Sequence, residues 1–219
     1  EGHVLQDISL PDGTRVSLNR SSRLTYPKLF SGNTREVMIE GEAFFDVKPD
    51  ASKPFVITAG NARIRVLGTS FHVSARPGDK TVEVVVETGR VQVVCPAVNS
   101  SLHGELTLVP GEKGVLFNEN NQLVKSLNDN PNVTAWKTNE LIFDKTSLRE
   151  VIADLEKVYH TEIQLSDPSL NERVLTAHFN NQPVDFILEV IRLTFSLELT
   201  AQNGQYFLTA AEKRQNQKP

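Results

Sequence analysis

From Val4 to about Ser126, apolar and polar positions alternate in short runs separated by turn residues, the period-two pattern of β-strands. Arg63-Ile64-Arg65-Val66 is the plainest case, with every second side chain apolar. Ile8-Ser9-Leu10 and Val16-Ser17-Leu18 flank Asp12-Gly13, a hairpin signal in which Pro11 pre-sets φ and Gly13 supplies a positive one. Thr81 to Glu87 and Val91 to Val94 are valine-rich and joined by Thr88-Gly89-Arg90, which reads as a second hairpin-like pair. Thr107-Leu108-Val109, Pro110-Gly111 and Gly114-Val115-Leu116-Phe117 continue the rhythm. Helical periodicity is absent from this half, which predicts an all-β sandwich, barrel or solenoid-like domain.

Asn128-Asp129-Asn130-Pro131-Asn132 then interrupts the chain with five turn-forming residues, the mark of a linker. Beyond it the period changes to that of helices. Ser147-Leu148-Arg149-Glu150 matches a capping box and opens a helix with Leu148, Val151, Ile152, Leu155 and Val158 on one face. A second helix carries Val184, Ile187, Leu188 and Ile191, with Pro183 in its first turn. Aligning Phe143 with Phe179 superposes both segments without a gap at an offset of 36 residues. Leu148 falls on Val184, Ile152 on Leu188, Tyr159 on Phe195 and Ile163 on Leu199. Two βαβ units are therefore expected, followed by a hairpin in which Asn203-Gly204 joins 197–201 to 205–209. The predicted organisation is an all-β domain at 1–127, a linker at 128–135, a small double-βαβ domain at 136–212 and a polar tail at 213–219.

Four phrases in order carry a family resemblance: Leu10-Pro11-Asp12-Gly13-Thr14-Arg15-Val16-Ser17-Leu18-Asn19, Ile39 to Val47, Lys53-Pro54-Phe55-Val56-Ile57, and Val66 to Val73. With Leu108-Val109-Pro110-Gly111-Glu112 they resemble the periplasmic part of FecR-type sigma regulators. The region from about 135 to 210 resembles the short signalling domain of secretins and TonB-dependent receptors, and the C-terminal domain common in Bacteroidetes FecR-type proteins. The resemblance implies the periplasmic region of a single-pass inner-membrane protein. Such a region receives a signal from the N-terminal signalling domain of a TonB-dependent outer-membrane transporter. The extracytoplasmic-function sigma factor is then controlled through a cytoplasmic segment outside this sequence. The expected role is recognition, with no enzymatic activity and no cofactor.

Composition agrees with a folded protein, since 39% hydrophobic and 23% charged residues over 219 positions suffice for a core. The net charge of −4 and the scattered basic residues argue against nucleic acid as a partner. Lys213-Arg214 is an adjacent basic pair in the polar tail, read as a solvated terminus. Glu1 suggests a processed or truncated beginning, and no apolar run reaches the roughly 20 residues that span a bilayer. The single cysteine, Cys95, precludes an internal disulfide and reads as a small buried hydrophobe.

Catalytic and metal-binding patterns are scarce. His3, His72, His103, His160 and His178 show no metal-binding spacing, and neither a nucleophile elbow nor a phosphate-binding loop occurs. His72 alternates with Phe71 and reads as structural, a cupin-like metal site being the alternative. Glu40 and Glu42 share one strand face beside Gly41, which reads as a solvated face next to a bulge rather than an acid–base pair. Phe44 and Phe45 point to opposite sides, so one requires cover from a neighbouring strand or subunit. Gly68 marks a bulge or a close backbone approach, and Trp136 is placed to staple the two domains. For partner docking the expected surface is a free edge at the last strand, Gln205, Tyr206, Phe207, Leu208 and Thr209, by strand addition. The second functional reading is a non-catalytic carbohydrate-binding or adhesive β-module, disfavoured by one Trp and three Tyr.

Overall fold

The computed structural model describes residues 6–95 and 104–210. His3, His103, Lys213, Arg214 and the tail expected at 213–219 lie outside the described residues. The chain divides into two compact units, 1–137 and 138–219.

The first unit contains β1 (Gln6–Ser9), β2 (Arg15–Leu18), β3 (Arg23–Thr25), β4 (Arg35–Asp46), β5 (Phe55–Ala59), β6 (Ala62–Val66), β7 (Ser70–Ala75), β8 (Thr81–Thr88), β9 (Val91–Cys95), β10 (Gly104–Leu108), β11 (Glu112–Phe117) and β12 (Gln122–Leu127). They pair in the order β10-β9-β6-β5-β4-β7-β8-β11-β12, with β1-β2 and β3 also attached at β4. The end strands β10 and β12 approach one another, so the sheet curls almost into a barrel. Lys125 Nζ on β12 reaches the Thr107 carbonyl on β10 at 3.1 Å.

β4 organises this sheet. Its first half pairs with β3 and, in parallel, with β5; its second half pairs with β2 and β7. The switch falls at Gly41, whose φ is +106° and whose hydrogen faces Ser22, where a Cβ would sit 2.3 Å from Oγ. A strand that changes partners must bend sharply, and a residue without a side chain is what lets it do so here.

Alternation along β4 sends Val37, Ile39, Ala43 and Phe45 into the core. Phe45 stacks on Phe71 at 5.5 Å and lies 6.3 Å from Phe55. Burying each such ring contributes roughly 1.5–3 kcal/mol. The β1–β2 hairpin forms as expected, with Gly13 at φ +87° and Asp12 accepting from the Thr14 amide at 3.0 Å. The pairing across Thr88-Gly89-Arg90 differs from the sequence reading. β8 pairs with β7 and β11, whereas β9 pairs with β6 and β10. Two valine-rich strands joined by a short turn fit a hairpin and a crossing equally well by pattern, and the choice rests on pairing with strands distant along the chain.

The stretch expected as a linker at 128–135 is tied to the first unit. Asn128 N donates to the Gly111 carbonyl at 2.8 Å, and the Asn130 side chain caps a 3-10 turn at Pro131–Thr134. The short helix α1 (Ala135–Thr138) follows, with Ala135 and Trp136 buried. The division between the units falls after Lys137, so Trp136 belongs with the first unit rather than opening the second. Asparagine side chains replace missing backbone partners, so a turn-rich composition did not mean a free chain.

The second unit runs β13 (Glu140–Ser147), α2 (Leu148–Tyr159), β14 (Glu162–Leu165), β15 (Val174–Asn180), α3 (Val184–Phe195), β16 (Leu197–Gln202) and β17 (Gln205–Ala210). The repeat is visible in the structure: shifting α2 by 36 residues reproduces the bounds of α3. The left-handed caps His160 and Ser196, both at φ 54°, obey the same shift. Ser147 and Glu150 form the capping box, whereas Pro183 is the N-cap of α3 and contributes no side-chain bond.

The first strands of the two repeats, β13 and β15, pair antiparallel, bringing Phe143 and Phe179 edge to face at 6.3 Å. The second strands, β14 and β16, flank β17 in a three-stranded sheet. Asn203 and Gly204, at φ 53° and 81°, close the β16–β17 hairpin as expected. Among the described residues no helix is long and apolar enough to cross a membrane.

Candidate functional site

On the outward side of β4, Glu36, Met38 and Glu40 are exposed, yet Glu42 and Phe44 on the same side are buried. Glu40 and Glu42 therefore differ sharply, although alternation gives them one face. Glu42 is fully enclosed. Its Oε1 accepts from His72 Nε2 at 2.7 Å, and its Oε2 from Arg76 at 2.5 Å and Asn19 Nδ2 at 2.8 Å. Its backbone N–H donates to Ser22 Oγ at 2.9 Å, and its carbonyl accepts from Asn19 N at 2.9 Å. Such a carboxylate is stabilised by three side-chain donors converging on it, two of them able to carry charge.

The His72 ring also lies near Trp136, with centroids 6.3 Å apart and the rings tilted by 55°. Among the described residues, His72 Nδ1 and Trp136 Nε1 are both buried without a hydrogen-bond partner. Lys137 places its ammonium 4.6 Å from the centre of the Phe44 ring. Lys137, on the chain leaving the β-domain, thus covers part of the Phe44 ring. Beside it lies a cleft of about 290 Å³ lined by Asp7, Arg15, Ser17, Phe44, Asp46 and Lys137. The Arg15 hydrogen bond holds the Asp46 carboxyl below its ordinary range against the opposing effect of burial, with further help from Ser70 and the charges of Arg15 and Lys137.

A second buried charge anchors the turn that opened the sequence resemblance. Arg35 is 2% exposed, bonds Asp12 at 2.7 Å, donates to the Lys48 and Lys53 carbonyls, and lies 5.3 Å from the Phe55 ring centre. Burial pushes the Asp12 carboxyl up, but hydrogen bonds from Thr14 and Arg35 outweigh it and hold the carboxyl below its usual range. Gly68, expected at a close approach, lies where an added Cβ would be 2.6 Å from Pro49 Cα. Among the described residues no group of three His, Cys, Asp or Glu side chains could hold a metal ion.

The strand chosen as a docking edge is not an edge. β17 carries Gln205, Tyr206, Phe207, Leu208 and Thr209, and it pairs with β14 on one side and β16 on the other. Leu208 is fully buried, and Tyr206 Oη donates to Asp185 at 2.7 Å. That hydrogen bond, together with burial, raises the Tyr206 hydroxyl above its ordinary pKa. The last strand in sequence lies in the middle because β14, from the first repeat, pairs beside it in parallel. Among the described residues the open edges of this sheet belong to β14 and β16. Neither the partners of Glu42 nor the position of β17 could be read from the sequence, because both depend on pairing between strands distant along the chain.

The FecR protein family model matches residues 3–92, and the model for the FecR C-terminal region matches 140–208. A crystal structure of a candidate anti-sigma factor from Parabacteroides distasonis is 33% identical over 94% of each chain, with a TM-score of 0.71. The chain belongs to the FecR family. A second crystal structure of a candidate anti-sigma factor from the same organism matches with a TM-score of 0.70 at 33% identity, over 94% of this chain and 93% of the other. No curated protein matches the sequence. The FecR region thus coincides with the greater part of the β-domain, and the FecR C-terminal region with the double repeat. Membership in this anti-sigma family supports a role as a sigma regulator.

Proposed function

We propose that the chain is the periplasmic sensor region of a single-pass inner-membrane anti-sigma factor. It receives the signal from the N-terminal signalling domain of a TonB-dependent outer-membrane transporter. An extracytoplasmic-function sigma factor is then controlled through a cytoplasmic segment outside these 219 residues. The observation that carries the reading is the ordered match of both FecR regions, together with 33% identity over 94% of a candidate anti-sigma factor. The physical support is the edge strands β14 and β16, which among the described residues pair on one side only and are suited to strand addition. Phe207→Pro would remove a backbone donor from a strand paired on both sides, so it tests folding rather than binding.

A carbohydrate-binding surface built on a stacking tryptophan gains no support, since Trp136 is 8% exposed and is not free to stack on a sugar ring. The test is isothermal titration of the chain with the signalling domains of transporters encoded beside it. Saturable binding at micromolar concentration or tighter to one domain is the expected result. Failure to bind any of them would refute the proposed partner.

A further inference from the structure

The first unit contains eight arginines among its described residues, and five of them, Arg15, Arg23, Arg35, Arg63 and Arg76, pair with carboxylates. Of the three without an ion pair, Arg65 and Arg90 line one cleft of about 480 Å³. Its lining includes Leu67, Thr69, Gln92 and Thr107 but no carboxylate. Two arginines thus line one cleft on a protein whose net charge is −4. We propose that this cleft is a binding site for a small organic anion, a carboxylate or phosphate monoester on a hydroxylated carbon frame.

The walls are fixed before any ligand arrives. An added Cβ on Gly68 would meet Pro49 at 2.6 Å, and one on Gly89 would meet Thr69 Oγ1 at 2.8 Å. Thr69 Oγ1 donates to the Arg90 carbonyl at 3.0 Å, and Asp50 N to the Leu67 carbonyl at 2.7 Å. The turns carrying Leu67 and Arg90 are therefore locked together, so binding costs little ordering of the backbone.

The lining also selects the chemistry. The guanidinium groups provide fork-shaped donors for an anionic head. The half-exposed Leu67 provides apolar contact for a carbon frame. Gln92 gives its amide nitrogen to Glu105 at 2.7 Å, leaving its carbonyl oxygen to accept from a ligand hydroxyl, beside the hydroxyl of Thr107. The volume falls within the ordinary range of small-ligand pockets, roughly 300–1,000 Å³. This inference does not depend on the transporter partner, because it concerns only the β-domain.

The experiment is titration of the chain with glucuronate, glucose 6-phosphate, glucose and inorganic phosphate, followed calorimetrically at low salt. Saturable binding of glucuronate or glucose 6-phosphate is expected, weakened at least about tenfold in Arg65→Gln and in Arg90→Gln. Both arginines are exposed, so the melting temperatures of the variants should match that of the parent chain. The tighter of the two organic anions identifies the head group as carboxylate or phosphate. The proposal is overturned if neither saturates, if glucose binds as tightly, if both variants bind unchanged, or if inorganic phosphate competes as well as the organic anions.

Discussion

Replacing Glu42 by Gln keeps the shape of the side chain and removes its charge. Three donors, from His72, Arg76 and Asn19, converge on this carboxylate at 2.5–2.8 Å. A glutamine there retains one acceptor oxygen and turns an NH2 group toward donors. Removing one member of a buried ion pair costs about 3–5 kcal/mol. Arg76 retains 32% side-chain exposure and stays partly hydrated, so the low end, about 3 kcal/mol, applies. For a unit of 137 residues that corresponds to a fall of roughly 10 °C in melting temperature. Trp136 is the sole tryptophan and its ring lies beside His72, so its fluorescence reports on this unit and on this face. The internal control is Glu40→Gln, two residues away but exposed and only 4.0 Å from Arg23, which should melt with the parent chain. His72→Gln combined with Glu42→Gln should cost less than the sum of the single changes, because the two residues share one hydrogen bond. Equal melting shifts for Glu40→Gln and Glu42→Gln would refute the reasoning.

Gly41→Ala should destabilise the β-domain by about 3 kcal/mol or more, combining backbone strain with a Cβ placed 2.7 Å from Ser22 Cα. Gly78→Ala, at φ +90° with nothing within 4 Å, should cost only the strain of about 1–2 kcal/mol; urea unfolding compares the two. Asp12 has a folded pKa below its unfolded one, so its contribution is present above the unfolded value near pH 4 and is lost as pH falls through the folded value. Asp12→Asn should therefore be less stable than the parent chain at pH 7, with the gap narrowing toward pH 2, as measured by denaturant midpoints across that range. Ser147→Ala removes the capping box of α2 and should cost about 1 kcal/mol in the second unit, followed by far-ultraviolet circular dichroism in urea.

The sequence by itself determined what depends on neighbours along the chain. Period-two alternation placed the strands, and Ser147 with Glu150 placed the start of α2. The turns at Gly13 and at Asn203-Gly204 follow from residues that accept positive φ. The shift of 36 residues also foretold matching helices, because each repeat buries its own apolar face in the same way. Tertiary structure decided whatever depends on which distant strands meet. It made β17 the middle of its sheet, sent β8 and β9 to different partners, and folded the asparagine-rich segment onto the first unit. It also separated Glu42 from Glu40: alternation assigns a side chain to a face, but whether that face is wet depends on what packs over it. Here that is His72, Arg76 and the returning chain at Trp136, residues 30 to 94 positions further along.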